Sequence, residues 1–553
     1  MINRRDFNKT LAGLVLSSFV SAPARAAAPA GSQAAERAFL NRLSYGATPE
    51  SLAELQRLGR AGWLERQLAL PARDAALDKR LAGSVFWIEY EAGEGETGEK
   101  WDAVEEFRPL SLLYAPPDQL VRLTDYDNAM DYSERTRPMV EVIVASIIRA
   151  VHAPAQLREV MTQFWHNHFN VYADKDETVA ALFPPYDRAL RENALGNFRT
   201  LLGQVAHAPA MLHYLNNDNS KASPANENYA RELLELHTLG RENYFNDRYD
   251  NWHQVPGANE GMATGYIDAD VYEVARALTG WTIGDGREYG DNQQTPMSGE
   301  FAYVEAWHDP YQKRILGREF PAFSGPMEDG ETLLDMLAAH PGTAHFVSGK
   351  ILRTLGIEAP SKAYHQAIAR RFHETRDAPD QIAQVIRAIV AHPEFDATPP
   401  TKLRRPFEFV AAIYRATGVD VAPQHDDLFW ALENAGWTQH LVHPPTGHSD
   451  KTEDWANTRL VNGLVNLGMG AHSDWLDATR QRLDGAPDGA RDLAGLLRHW
   501  EDRFLVPHGG FGDVLARLDA SPDDPLPDNP EELSQLNAVL VTAAALGPEF
   551  LFR

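Results

Sequence analysis

The chain has 553 residues, of which 44% are hydrophobic and 10% aromatic, so it can form a substantial core and is neither disordered nor fibrous. Its formal net charge of −26 disfavours binding to nucleic acids and anionic membranes. It has no cysteine, which excludes disulfides, zinc–thiolate and iron–sulfur sites and a thiol nucleophile. Any metal would need histidine, carboxylate or carbonyl ligands.

The first residues have the pattern of an export signal. Arg4 and Arg5 precede a short apolar run over residues 11–20, and Ala24-Arg25-Ala26 supplies a small-x-small cleavage site. The run is too short and too polar to span a bilayer. We therefore predict a twin-arginine signal peptide over residues 1–26 and a mature protein of net charge −29, periplasmic or extracellular. Because this route exports folded proteins, often with a cofactor inserted, it raises the expectation of a metal or other prosthetic group.

Apolar residues recur at helical spacing through most of the remaining chain. We predict a mainly α fold, a large multi-helix body over residues 27–553 in one domain, with an internal boundary near 320–330 left open. Alternating residues predict one small β-hairpin over 301–320, with its turn at Asp309-Pro310 and its return strand at 313–317. The acidic, Gly-rich residues 91–102 are predicted to form a solvated loop.

Residues 226–240 carry an unusually dense set of ionisable groups on one predicted helix. Glu227, Arg231 and Glu235 share a polar stripe. The opposite stripe is apolar and consists of Ala230, Leu233, Leu234 and His237. Glu232 falls at the seam between them, and Gly240 supplies a C-terminal stop. The polar stripe is either an ion-paired surface, worth a few tenths of a kcal/mol per pair, or the wall of a reactive cleft.

Two further segments hold candidate metal ligands. His166 and His168 end a predicted helix over 154–169, where they would point about 200° apart and could not share an ion. They would lie on one side only if the chain became extended there, and the alternative for each is an ordinary core histidine. His308 stands at the predicted Asp309-Pro310 turn, where side chains are often displayed, and the alternative there is a solvated histidine.

Several motifs, taken in order, resemble one bacterial family, the domain-of-unknown-function 1800 family. These motifs, the signature segments, are Phe39 to Pro49, Phe164 to Phe169, Asn226 to Gly240, Val274 to Thr282, His308 to Pro310, Ile315 to Gly317, His340 to Ala344 and Pro548 to Phe550. The resemblance implies an exported, mostly helical protein whose activity is not established. It also implies a partner, because such proteins often accompany an exported domain-of-unknown-function 1501 protein that resembles sulfatases and alkaline phosphatases. The family often has Phe where His237 stands, which argues against an obligate role for that residue.

Three hypotheses follow for function. The leading one is a metal-dependent exported enzyme with hydrolysis favoured over oxidation, in which a divalent ion (Zn, Mn or Fe) is held by His166, His168, His308 and Glu232. In it, Glu232 is a ligand or general base, and Arg231 orients an anionic or carbonyl group. The second is metal-free acid–base catalysis on a glycan by Glu227, Glu232 and Glu235 with Arg231. The third is a non-catalytic partner or scaffold of the phosphatase-like protein, in which the signature residues form a structural ion-pair network.

Unpaired buried charge costs several kcal/mol per ion, so polar clusters of this kind should be solvated separately or meet one another. We predict that residues 165–168, the polar stripe, Glu273/Arg276 and His308-Asp309 line one cleft, with His168 and Glu232 sharing an ion. Arg231 and Arg276 would neutralise the carboxylates there. Residues 440–455 would cover the mouth of the cleft.

Overall fold

The structure is a computed structural model that describes residues 32–95, 98–470, 478–479, 483, 485–487, 489–509, 514–515 and 520–553. The export signal predicted over residues 1–26 lies outside these ranges. Among the described helices, none combines the length and the apolar character that a membrane crossing needs.

Helices dominate the described chain, as the sequence predicted. In the first half they span Gln33–Leu43, Pro49–Ala69, Ala75–Ala82, Pro117–Leu120, Tyr132–His152, Gln156–His168, Glu177–Ala181, Phe183–Asn193, Phe198–Ala206, Pro209–Tyr214, Glu227–Glu232 and Asp268–Ala277. In the second half they span Glu328–Ala339, Pro341–Thr354, Lys362–Glu374, Gln381–Ala391, Pro393–Ala397, Pro406–Thr417, Asp427–Asn434, Thr452–Trp455, Thr458–Gly470, Leu493–Arg503, Pro530–Leu546 and Pro548–Leu551. Many begin at a side chain that caps the first turn, such as Thr48, which forms a reciprocal capping box with Ser51.

The expectation of one small β-hairpin is wrong, because the described residues contain several antiparallel strand pairs. The pairs are Val85–Tyr90 with Val104–Pro109, Gly93–Glu94 with Lys100–Trp101, Trp281–Asp285 with Met297–Tyr303, Glu288–Gly290 with Gln293–Gln294, and Lys313–Ile315 with Arg318–Phe320. The segment 91–102, predicted as a solvated loop, therefore lies inside a longer β-hairpin over 85–109.

The hairpin predicted over 301–320 also has different partners from those expected. Its first strand pairs backwards with Trp281–Asp285 rather than forwards with residues 313–317. Gly280, at φ 85°, allows this close approach, because a Cβ there would lie 2.8 Å from the carbonyl oxygen of Val304. The carbonyl of Gly280 accepts from the amide of Val304 at 2.8 Å. The chain then enters a 3₁₀ turn at Glu305–Trp307, which separates the two segments that sequence proximity had paired.

Buried apolar residues from Phe39 to Phe552 form one contiguous core cluster. Residues 226–240, the central segment, pack into this core through their predicted apolar stripe, since Ala230, Leu233, Leu234 and His237 are all buried. It is not a uniform α-helix, however. After Glu227–Glu232 it widens into a π-helical turn over Leu233–Thr238, a feature often found at functional sites.

Candidate functional site

The helix Gln156–His168 carries both histidines of the Trp165-His166-Asn167-His168 segment. It remains helical through His168, so the extended conformation that would have put both side chains on one side does not occur. His166 and His168 consequently reach different partners in different parts of the interior.

His166 belongs to a buried ion-pair network centred on Asp187. The carboxylate of Asp187 accepts from Arg149 Nη1 at 2.8 Å and from Arg191 Nη2 at 3.1 Å, and it lies 3.0 Å from His166 Nε2. Arg191 also pairs with Glu159. Burial alone would raise the pKa of Asp187, but Arg191 and Arg149 hold it well below its usual value. Burial lowers the pKa of His166, so its ring is neutral at pH 7.

A second histidine, His440, packs against this network. Its ring centroid lies 4.3 Å from that of His166, and its Nε2 lies 2.9 Å from the hydroxyl of Ser146. His440 adopts φ 60°, a left-handed conformation that few residues other than glycine occupy, so the surrounding contacts must hold it there. The segment that was predicted to cover a cleft thus begins with a side chain inserted into the core.

The segment 440–455 docks on the end of the helix Gln156–His168. Asn167 donates to the carbonyl of His448 at 2.9 Å and accepts from its amide at 2.7 Å. Asn170 donates to the carbonyls of Val442 and Pro444, both at 2.9 Å. This segment therefore covers the histidine-bearing end of the helix, whereas the prediction placed it over the mouth of a cleft.

His168 links that helix to the central segment. Its Nε2 lies 3.1 Å from the carbonyl oxygen of His237, and the two ring centroids are 6.4 Å apart. Nδ1 of His168 and both ring nitrogens of His237 are buried without a hydrogen-bond partner among the described residues. Burial and then the charge of Lys350 lower the pKa of His237 to about 3, and burial lowers the pKa of Lys350. Lys350 Nζ lies 4.0 Å from Asp450 Oδ2, so the helix Pro341–Thr354 and the segment 440–455 also approach this junction.

Glu232 lies half-buried at the start of the π-helical turn. Its carboxylate makes no hydrogen bond or ion pair with another side chain in the described part of the chain. Burial, and then the charge of Glu235, raise the pKa of Glu232 to about 7. The hydroxyl of Tyr266 is buried without a hydrogen-bond partner, and after burial itself the charges of Glu235 and Glu232 contribute to raising its pKa. A carboxyl group that titrates near neutrality can both donate and accept a proton there.

The other groups of the polar stripe are more exposed. Arg231 lies 3.8 Å from Glu227, so the ion pair predicted within the stripe forms. Arg231 also lies 3.4 Å from Asp268, a carboxylate outside the stripe. Glu235 approaches Arg241 at 3.9 Å rather than Arg231.

Arg276 and Asp309 meet as predicted, at 2.7 Å and 3.1 Å, and Arg276 also binds Glu273 at 2.8 Å. Arg276 therefore neutralises Glu273 in its own helix and Asp309 in the adjoining loop, rather than the carboxylates of the central segment. Nδ1 of His308 lies 3.0 Å from the carbonyl oxygen of Thr279, and its Nε2 lies 3.4 Å from Asp329.

The proposed ligands do not converge in this arrangement. His166 is engaged with Asp187, His168 with the His237 carbonyl, and His308 with Thr279 and Asp329. Within the described ranges, no group of three or more histidine and carboxylate side chains is arranged to hold a metal ion.

Sequence reasoning missed Asp187, His440, Lys350 and Tyr266. Asp187 forms an i,i+4 pair with Arg191 on its own helix, but its partners Arg149 and His166 come from two other helices, which no local pattern indicates. His440 could have been found only by asking which polar residues of the 438–455 loop would be buried.

These features define a mainly helical protein whose signature segments meet in buried polar junctions beside a half-exposed carboxyl cluster. The chain belongs to the family described as Protein of unknown function (DUF1800), whose model matches residues 38–552. No curated protein matches the chain, and no solved structure matches it.

Proposed function

We propose that the protein is an exported, metal-free acid–base enzyme that hydrolyses its substrate, with Glu232 transferring the proton. The observation that carries the proposal is the state of this carboxyl group: half-buried, without a partner of its own, and with a pKa raised to about 7. A general acid or base works best when its pKa lies near the working pH. Export rests on the sequence pattern of residues 4–26.

The neighbours of Glu232 suit supporting roles. Burial, and then charge repulsion from Glu235, keep the pKa of Glu232 high, and Glu235 is the candidate second carboxylate. Arg231 is 38% exposed, so it can bind a negatively charged or carbonyl group of a substrate.

An open cleft of about 480 Å³ borders the N-terminal end of the central segment and includes Glu227. Its other lining residues are mostly polar and small, namely Asn219, Lys221, Ser223, Pro224, Ala225 and Asn226. Glu232 does not line this cleft; it lies five residues further along, an axial rise of roughly 7.5 Å at 1.5 Å per residue. Hydroxyl-rich substrates fit a lining of this kind, so glycans are the first substrates to test.

The experiment compares the mature protein with Glu232→Gln and Glu235→Gln on a panel of glycans. Glu260→Gln, at an exposed residue, serves as the matched control. We expect Glu232→Gln to lower kcat by roughly 100-fold or more, the usual effect of losing a general acid or base, and the control to be unchanged. The wild-type rate should also change across a pKa near 7 that is absent from Glu232→Gln.

The same assay separates the other hypotheses. Loss of activity on chelation, with recovery on adding zinc, manganese or iron, would replace this proposal by the metal-dependent one. If Glu232→Gln and Glu235→Gln were both as active as wild type, the acid–base proposal would be wrong. Inactivity on every substrate, together with stable binding to the co-exported phosphatase-like protein, would favour the scaffold function.

His166 is a structural residue in this proposal. Its ring is buried, it is engaged with Asp187, and that carboxylate is already neutralised by Arg149 and Arg191. A group held in this way has little capacity to bind a substrate.

A further inference from the structure

A cavity of about 230 Å³ lies between the β-hairpin over 85–109 and the helix Tyr132–His152, away from the signature segments. Apolar side chains form much of its wall, among them Phe86, Ile88 and Val140. Small-molecule sites in proteins are typically concave and mostly apolar, with a few convergent polar groups that fix the orientation of the ligand.

The polar residues that line this cavity are Glu89, Arg108, Ser133, Thr136, Arg137 and Glu141, and two of them, Arg137 and Glu141, have polar atoms without hydrogen-bond partners. Glu141 is 2% exposed; its Oε2 accepts from the amides of Leu112 and Leu113 at 2.7 Å and 2.8 Å. Its Oε1 is buried with no hydrogen-bond partner, and the same is true of Nε of Arg137. These two atoms lie 3.9 Å apart, too far for a hydrogen bond between them.

An unsatisfied acceptor and an unsatisfied donor at the wall of an apolar cavity define the ligand that would satisfy both. The ligand needs an N–H or O–H for Glu141 and an oxygen acceptor for Arg137, close together at one end of an apolar body. A carboxamide has this pair of groups in one plane. Burial raises the pKa of Glu141 to about 7, so above neutral pH it is mainly an acceptor.

We propose that this cavity binds a small, uncharged, amphipathic molecule with a carboxamide head, whose N–H donates to Glu141 Oε1 and whose carbonyl accepts from Arg137 Nε. Its apolar body packs against Phe86, Ile88 and Val140. Glu134, 3.5 Å from Arg137 Nε, is the nearest competing carboxylate. Glu134 also pairs with Arg108, which lines the cavity, at 3.0 Å. Above neutral pH the two arginines are outnumbered by Glu89, Glu134 and Glu141, so anionic ligands are disfavoured.

The test titrates the mature protein with benzamide, benzoate and toluene at pH 8, followed by calorimetry and saturation-transfer NMR. Benzamide has the proposed head, benzoate replaces it by a negative charge, and toluene lacks it. We expect benzamide to bind with a dissociation constant on the order of 1 mM, as for a fragment of its size, and the other two to bind at least about tenfold more weakly.

Two variants localise the binding. Arg137→Met removes the donor but keeps an apolar stem, and should weaken benzamide binding about tenfold or more. Val140→Phe fills the cavity and should abolish binding. Arg57→Met, at a residue whose side chain is 65% exposed, is the control and should leave binding unchanged. Circular dichroism establishes that each variant is folded.

Three results would overturn the proposal. The first is that none of the probes binds up to about 10 mM, a range that covers weak fragments, which would mean that the cavity holds only water. The second is that toluene binds as tightly as benzamide. The third is that neither Val140→Phe nor Arg137→Met alters benzamide binding, which would place the probe elsewhere. Glu232 does not line this cavity, so the result is independent of the proposed catalytic activity.

Discussion

Replacing Asp187 by Asn tests whether the buried network around His166 stabilises the fold. The substitution keeps the shape of the side chain and removes its charge, which leaves Arg149 with no carboxylate among its described partners and Arg191 with Glu159 alone. Removing one partner from a buried ion pair typically costs about 3–5 kcal/mol, because the remaining charge stays buried and uncompensated. The individual hydrogen bonds should not be added to this figure, since contacts within one network are not independent.

The magnitude is large compared with the total stability of roughly 5–15 kcal/mol expected for a folded protein. The entropy of unfolding is about 2.1 cal/mol/K per residue, so a cooperative unit of about 500 residues loses about 1 °C of Tm per kcal/mol. Asp187→Asn should therefore lower Tm by about 3–5 °C in calorimetry and shift the urea midpoint in the same direction.

The pH dependence adds a second check on the same variant. The folded pKa of Asp187 is depressed, so its contribution is present above the unfolded pKa of about 3.9 and is lost as the pH falls towards the folded value. The stability difference between wild type and variant should be constant from about pH 8 to pH 5 and should shrink below about pH 4.

The control is Asp335→Asn, which removes a partner of Arg199 at the surface. Asp335 is 69% exposed, so this change should cost no more than about 1 kcal/mol. If Asp187→Asn destabilised the protein no more than Asp335→Asn, the network would not stabilise the fold and the structural role assigned to His166 would be refuted.

Three further predictions concern other residues of the site. His237→Phe should raise the free energy of unfolding by about 0.5–2 kcal/mol in urea denaturation, because it removes two buried ring nitrogens that have no hydrogen-bond partner among the described residues. Destabilisation would show that these nitrogens do make hydrogen bonds. Glu232→Gln should stabilise the protein relative to wild type at pH 8 but not at pH 4, because a carboxyl group whose pKa is raised on folding lowers stability as the pH rises from about 4 to 7. An equal difference in Tm between variant and wild type at both pH values would contradict the raised pKa. Gly447→Ala should cost about 1–3 kcal/mol of stability and speed proteolysis within residues 440–455, because Gly447 has φ 67° and a Cβ there would lie 2.5 Å from the carbonyl oxygen of Asn167. An unchanged cleavage rate would show that the segment docks in another way.

The sequence predicted most helices because their apolar spacing and caps are local properties. Pro406–Thr417 and Gln381–Ala391, for example, carry buried apolar residues at helical spacing. Strand pairing was predicted less well, since the alternation over 301–303 indicates a strand but does not indicate that its partner is Trp281–Asp285. The π-helical turn at Leu233–Thr238 has the same residue pattern as an α-helix, so its different hydrogen bonding could not be inferred.

The site was predicted less well than the helices, because the ionisable residues of the signature segments were assumed to belong to one site. Arg276 and Asp309 do meet, and His168 does contact the central segment. His166, by contrast, pairs with Asp187, which no motif includes. Residues that neutralise one another across distant helices leave no periodic signal in a sequence, so buried partners of this kind are found only once the helices have been packed.

The docking of residues 440–455 bears on how this protein can diverge from its relatives. Asn167 and Asn170 bind main-chain atoms of His448, Val442 and Pro444, and Tyr214 donates to the carbonyl of His443. Because these attachments do not depend on which side chain the segment presents, evolution can replace its outward residues while the anchor points persist. A segment transplanted from another member of the family should therefore seat in the same way if it keeps the backbone path, including glycine at 447, and new surface chemistry can arise without redesign of the helices beneath it.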